Sequence, residues 1–235
     1  MNKLAVVSGG TKGIGRAVVE KFASHGFDIA TTARNIEDLQ QLKLTIETKH
    51  ANVNVHYINA DLSVKTEVTK FADFILELNQ PIALLVNNTG FYTPGQIHNE
   101  PDGQLELMLN TNLYSAYHLT RALIKNLLAA KKGHIFNICS TASITPYVNG
   151  GSYCISKFAM LGMSKVLREE MKPYNIKVTA ILPGPTKTAS WDGVDLPEER
   201  FIQATDVAET IFSAFQLSPA ANIEEILIRP QLGDL

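Results

Sequence analysis

Short apolar, β-branched runs alternate with amphipathic stretches along nearly the whole chain, and this alternation limits the fold more than any other feature. The candidate strands are Lys3–Ser8, Asp28–Ala33, Val53–Asn59, Ile82–Val86, His134–Cys139, Lys177–Leu182 and Glu225–Ile228. Most are continuous apolar runs, such as Ile82-Ala83-Leu84-Leu85-Val86, the pattern of strands buried on both faces. Between them, apolar residues recur at helical spacing; Ile14, Ala17, Val18 and Phe22 share one face. Two helical stretches are long. One runs from about Gly103 to Ala130 and carries Leu105, Met108, Leu109, Leu113, Ala116 and Leu119. The other runs from about Ser152 to Lys172 and stops near Pro173. Regular strand–helix alternation predicts parallel strands with helical crossovers, hence a doubly wound α/β fold with a mostly parallel seven-stranded sheet. An eight-stranded α/β barrel is the rival, but it needs about 250 residues and eight repeats. No repeat, low-complexity tract or linker divides the chain, so residues 1–235 are expected to form a single domain.

Composition narrows the function classes. Of 235 residues, 45% are apolar and 19% charged, and the formal net charge is −2. Charged content below the usual ~25% argues against disorder. The interspersed, near-neutral charge lacks the basic footprint of a nucleic-acid binder. A chain of this size buries roughly 70% of its unfolded surface without staples. Cys139 and Cys154 are too few for a disulfide framework, and they read as small buried hydrophobes. No apolar run approaches the ~18 residues that span a bilayer, so no membrane partner is expected. The first apolar stretch ends at Ser8-Gly9-Gly10, too early for a signal-peptide core, and a cytoplasmic setting is expected. No cluster has metal-ligand spacing, so no metal is expected; His118 and His134 read as structural or exposed.

The first strand ends in Ser8-Gly9-Gly10-Thr11-Lys12-Gly13-Ile14-Gly15-Arg16, where a helix begins. Glycines at 9, 13 and 15 permit a tight turn and close backbone approach to a ligand. The helix N-terminus aims its partial positive charge at the same place, which makes a pyrophosphate site of Rossmann type. The second strand bears on cofactor choice, because NAD binders carry an acidic residue ~20 residues past the glycines. Here Ala33 stands there and Arg34 follows. A guanidinium grips a 2′-phosphate that a carboxylate would repel, and Lys12 supplies a second cation, so NADP(H) is the expected cofactor.

Tyr153 and Lys157 stand at i and i+4 in Tyr153-Cys154-Ile155-Ser156-Lys157, on one helix face. A tyrosine near pKa 10 needs help to trade protons at neutral pH. A lysine in a partly desolvated cleft, beside a positively charged nicotinamide ring, supplies it. Ser140 ends the fifth strand, Asn87-Asn88-Thr89-Gly90 follows the fourth, Asn112 lies in the first long helix, and Pro183-Gly184 with Thr188 follows the sixth. All fall at strand C-termini or on the helices that begin there, where open α/β sheets bind ligands.

These ordered motifs resemble the short-chain dehydrogenase/reductase family in its single-domain form, over about Lys3 to Leu217. The resemblance implies a cofactor turn at Ser8–Gly15, with serine for the usual threonine. It further implies adenine contacts at Asp61-Leu62, an NNAG-like segment in which Thr89 replaces alanine, and nicotinamide contacts at Pro183, Gly184 and Thr188. The implied catalytic tetrad is Asn112, Ser140, Tyr153 and Lys157. The remaining implied cofactor positions are Gly9, Thr11, Lys12, Gly13, Ile14, Gly15, Arg34, Asn88 and Gly90. The implied reaction moves a hydride between nicotinamide C4 and a small or medium carbonyl or alcohol. Tyr153 is then general acid/base, Ser140 holds the oxygen, Lys157 holds the ribose, and Asn112 positions a relay water.

Two features depart from the common pattern: a short lid, at about 186–204, and a last strand reading Glu225-Ile226-Leu227-Ile228-Arg229-Pro230. Phe91, Tyr92, Tyr147, Val148 and Trp191 are candidates for the substrate pocket. The excess apolar residues of the two long helices, with the resemblance, imply a homodimer or homotetramer. A non-catalytic NADP(H)-binding redox sensor is the alternative, although a sensor has no need of a full tetrad. Epimerases and dehydratases that share the Tyr-x-x-x-Lys motif carry an added substrate domain for which this chain has no room.

Overall fold

The computed structural model describes residues 2–188, 193 and 196–234. Its strands are β1 (Leu4–Ser8), β2 (Asp28–Ala33), β3 (Val55–Asn59), β4 (Ile82–Asn87), β5 (Gly133–Ile138), β6 (Ile176–Pro183) and β7 (Glu225–Ile228). They form one parallel sheet in the order β3-β2-β1-β4-β5-β6-β7. The helices are α1 (Gly13–Ala23), α2 (Ile36–Lys49), α3 (Lys65–Glu77), α4 (Gln104–Leu109), α5 (Ser115–Ala130), α6 (Gly151–Met171) and α7 (Ala204–Gln216). The doubly wound seven-stranded architecture expected from the alternation is the observed one.

Strand side chains alternate between faces with period two, and that alternation sorts the core into layers. Ala5 and Val7 of β1 pack with α1, α2 and α7, in a cluster that includes Phe22, Leu42, Val207 and Ile211. Leu4 and Val6 face the other way, toward Phe71 and Ile75 of α3 and Leu119 and Leu123 of α5. A third cluster joins Met160 and Leu161 of α6 to Cys139, Ala180 and Leu182. Only the edge strand β7 alternates exposed with half-buried residues. Strand order reverses around β1, which sits between β2 and β4, and that switch point opens the ligand crevice at the strands' C-terminal ends.

Two expectations need correction. The first long helix is not continuous. A π turn (Asn110–Tyr114) separates α4 from α5, and the Ser115 N–H bonds to the Asn110 carbonyl, five residues back. Strand limits also move by one or two residues. Lys3 and Val53 lie outside β1 and β3, and Cys139 outside β5, while Asn87, Ile176 and Pro183 extend the ladders. Hydrogen-bond register, rather than hydrophobicity, ends a strand. Lys172–Tyr174, which contains Pro173, forms a 3-10 turn directly after α6. Of the lid expected at 186–204, the described part includes a bridge between Thr186 and Ile202 and a 3-10 turn at Glu198–Arg200. The rest of it, Trp191 included, lies outside the described residues.

Candidate active site

The glycine turn has the backbone that its sequence demands. Gly9 and Gly13 have φ of 68° and 53°, in the left-handed region that favours glycine. A side chain on Gly15 would run into the Gly9 carbonyl and come within 2.5 Å of the Asn88 amide nitrogen. Helix α1 starts here with no acidic residue in its first turn and no side-chain cap. Its leading N–H groups therefore face the crevice, ready for an anion. Thr11 is buried, and Ile14 packs against the α1–α7 layer.

The end of β4 braces this turn. The Asn88 amide donates to the Ser8 and Gly9 carbonyls, both at 3.0 Å. Ser8 Oγ accepts from the backbone N–H groups of Asn88 (2.9 Å) and Thr89 (3.0 Å). The serine standing for threonine thus keeps the hydroxyl that ties β1 to β4. Asn88 thus serves the turn through its side-chain amide nitrogen. Across the crevice, Thr188 closes on Gly13 so tightly that a Cβ there would lie 2.9 Å from the threonine methyl. Gly184 N–H donates to the Ile228 carbonyl at 2.8 Å, and Pro183 pairs with Ile228 at the end of β6.

The cations divide. Arg34 is exposed at the end of β2. Lys12 instead reaches Asp38 of α2 at 3.0 Å, an exposed pair worth at most about 1 kcal/mol. Asp61 accepts from Ser63 N–H (3.0 Å) and Oγ (2.8 Å), and the Leu62 side chain is buried in the α3–α5 core. Leu62 therefore offers backbone, not side chain, to the crevice.

Ser140, Tyr153, Lys157 and Asn112 come together on the same edge. The Ser140 hydroxyl faces the Tyr153 phenol and pulls its pKa down. Ser140 also accepts from Ala142 N–H at 3.1 Å, which caps the short turn after β5. Lys157 Nζ lies 5.9 Å from the Tyr153 ring centroid and donates to the Ile138 carbonyl at 2.9 Å. Burial pushes the Tyr153 phenol up to about 12 against the pull of Ser140, and it pushes the buried Lys157 ammonium down. In this arrangement the tyrosine is firmly protonated at neutral pH, a proton donor first.

Asn112 sits fully buried in the π turn, as π turns at functional sites often place a side chain. Its Oδ1 accepts from Phe91 N–H at 2.9 Å, and its amide donates to the Phe91 carbonyl (3.1 Å) and to Ser156 Oγ (3.0 Å). Ser156 Oγ in turn donates to the Tyr153 carbonyl at 2.7 Å. Both amide hydrogens are engaged, so Asn112 locks the strand-β4 loop to the helix that carries Tyr153. Gly90 lies between: a Cβ there would meet Asn112 Oδ1 at 3.1 Å and Lys157 Nζ at 3.5 Å.

Sequence reasoning missed three contributors. Ser156 stands inside the Tyr153–Lys157 motif, and only the fold shows that it bridges Tyr153 to Asn112. Thr89 Oγ1, at 3.2 Å from a Cβ on Gly9, is buried and unpartnered. Glu100 accepts from Ser152 N–H at 2.9 Å and from Ser152 Oγ, which caps the first turn of α6. Its partner lies 52 residues away, beyond any local pattern. Cys139 and Cys154 are buried, as small hydrophobes should be, and burial raises the Cys139 thiol to about 11. Among the described residues there is no metal-ligand cluster and no helix long and apolar enough to cross a membrane.

A doubly wound parallel sheet with an anion-ready glycine turn at its switch point, and a Ser–Tyr–Lys cluster on the same edge, is the architecture of a dehydrogenase. The chain belongs to the short chain dehydrogenase family, whose profile matches residues 3–198. It is 29% identical to the sepiapterin reductase of Chlorobaculum tepidum, over 100% of this chain and 99% of that one. A metagenomic short-chain oxidoreductase solved in complex with NADP superposes with a TM-score of 0.85 at 28% identity, covering 97% of each chain. An alcohol dehydrogenase from Thermococcus sibiricus shares the fold with a TM-score of 0.91 at 22% identity, over 98% of this chain and 97% of that one.

Proposed function

We propose that this chain is an NADP(H)-dependent carbonyl reductase acting on small or medium carbonyl/alcohol substrates, with Tyr153 as general acid/base. The observation that carries this reading is the placement of Tyr153 beside Ser140, with the buried Lys157 and Gly90 next to it. The cofactor fits what the crevice offers: glycines whose Cβ would fill it, an uncapped helix N-terminus, and an orphaned Thr89 hydroxyl beside Gly9. Gly9, Thr11, Lys12, Gly13, Ile14 and Gly15 line the pyrophosphate end, and Arg34 meets the 2′-phosphate. Asp61 and Leu62 flank the adenine, and Asn88, Gly90, Pro183, Gly184 and Thr188 border the nicotinamide side. The NADP-bound oxidoreductase at 28% identity supports the same choice.

When bound, the cofactor supplies the hydride from nicotinamide C4 to the carbonyl carbon. Tyr153 gives its hydroxyl proton to the carbonyl oxygen as that oxygen takes on alkoxide charge. Ser140 donates to the same oxygen and fixes its position. The Lys157 ammonium stabilises the phenolate that Tyr153 becomes and holds the ribose. Asn112 acts as a positioning residue through Phe91 and Ser156. The exposed apolar residues Tyr117 of α5 and Ile155, Phe158 and Val166 of α6 support a homodimer or homotetramer through these helices. The cytoplasmic setting belongs to the same proposal.

The test is NADPH oxidation by the purified protein against a panel of aldehydes and ketones, with NADH in parallel. Turnover preferring NADPH is expected. Tight NADPH binding without turnover of any carbonyl would instead identify a redox sensor.

A further inference from the structure

The loops after β4 and β5 are joined into one wall beside Tyr153. Gly95 N–H donates to the Asn149 carbonyl at 3.0 Å, and Gly95 bridges Gly150. Gln96 donates to Asn149 Oδ1 at 2.7 Å. Glu100 holds both the N–H and the hydroxyl of Ser152. Side chains on Gly95 or Gly151 would collide with the Glu100 carboxylate, so the seam closes only with glycine at both. Such a wall presents its side chains in fixed places.

It presents two tyrosines. The Tyr92 ring meets the Tyr153 ring edge-on, with centroids 5.0 Å apart and an interplanar angle of 75°. The Tyr147 ring covers Gly150, where a Cβ would lie 3.2 Å from it. The Tyr92 hydroxyl donates to the Asn149 carbonyl at 3.4 Å. The Tyr92 hydroxyl hydrogen therefore points into the wall. Both rings offer surface to a substrate, Tyr92 being 37% and Tyr147 46% exposed. Ile144 and Val148, on the same loop, are also exposed.

Charge is missing from this surface. Segments 91–100 and 141–151 contain no lysine, arginine or aspartate, and the one carboxylate, Glu100, is turned onto Ser152. A carboxylate or phosphate on the substrate finds no cation here. Aromatic ring faces and edges favour flat π systems.

From this we infer that the enzyme's substrates are uncharged carbonyl compounds bearing a flat aromatic or conjugated group next to the carbonyl. Tyr92 and Tyr147 are the specificity residues. The inference rests on the reductase reading above and adds the substrate class to it.

The experiment compares kcat/KM with NADPH for an aryl dione (1-phenyl-1,2-propanedione), diacetyl, dihydroxyacetone and pyruvate. The aryl dione is expected to lead dihydroxyacetone and pyruvate by at least about tenfold, the scale on which a pocket distinguishes apolar groups. In Tyr92→Ala and Tyr147→Ala the ratio of aryl dione to diacetyl falls about tenfold, mainly through KM. Tyr147→Phe restores that ratio, since its ring remains. Preference for dihydroxyacetone or pyruvate, or an equal loss for aryl dione and diacetyl, overturns the inference while leaving the reductase reading intact. Saturation-transfer NMR with the aryl dione separates the opposite case. Binding that the alanine variants abolish, without turnover of any carbonyl, upholds the aromatic wall and overturns the reductase reading.

Discussion

The two edges of this sheet treat buried ionisable groups in opposite ways. At the N-terminal edge, Asp28 of β2 accepts from Asn2 (3.0 Å), Asn54 N–H (2.8 Å), the Asn54 amide (3.4 Å) and Gln80 (2.9 Å). Burial works to raise its pKa, but those hydrogen bonds more than offset burial and hold the carboxyl below its ordinary value. Further along the same edge, His134 of β5 bonds Thr179 at 2.8 Å and stacks on Phe136, and burial drives it down to about 3, so it is neutral. At the C-terminal edge, Tyr153 has Ser140, and Lys157 has one hydrogen-bond partner among the described residues. The carboxylate ringed by donors is a strut. An ammonium with spare donors beside a phenol can still accept a ligand or exchange a proton.

Substitutions can break this contrast. The largest effect belongs to Tyr153→Phe, which should lower kcat by about 10²–10⁴-fold while thermal unfolding stays nearly unchanged. Asp28→Ala should do the reverse, costing about 2–4 kcal/mol in urea unfolding through orphaned donors, with kcat of the folded fraction retained. If Asp28→Ala cut kcat as deeply as Tyr153→Phe, the division between the edges would fail.

Acid sharpens the same point. An unfolded histidine takes up its proton near pH 6.5, whereas folded His134 resists until about 3. Stability should therefore fall as pH drops below 6.5, by up to about 1.4 kcal/mol per unit from this residue. Urea midpoints at acidic and neutral pH should show a shallower slope in His134→Gln; an unaltered slope would remove His134 from the set of struts. The smallest effect is expected at the exposed end of β2. Arg34→Ala should weaken NADPH binding by about tenfold and NADH hardly at all, by fluorescence titration. Equal losses would deny Arg34 its 2′-phosphate.

Much of this was legible in the chain because the relevant signals are local. Continuous apolar runs marked the strands, and the glycine spacing marked the turn at the switch point. Tyr153 and Lys157 share a helix face by their spacing alone. What was illegible depends on pairings across the fold. The Asp38 that draws off Lys12 lies on the next helix, and the Ser152 that binds Glu100 lies beyond a whole strand and helix. The upward push of burial on the Tyr153 phenol is likewise a property of the packed interior. The π turn escaped for another reason: Met108, Leu113, Ala116 and Leu119 keep an apolar rhythm that reads as one helix through it.

That turn sets an angular phase. Each residue advances an α-helix by about 100°, so the extra residue within 110–114 rotates α5 relative to α4 by that amount. Met108 before it and Leu119, Leu123 and Leu127 after it are all buried, as is Asn112 within it. A one-residue deletion there would leave composition and hydrophobicity almost untouched. It would nonetheless turn one rod against the other, and either the core leucines or Asn112 would have to face the wrong way.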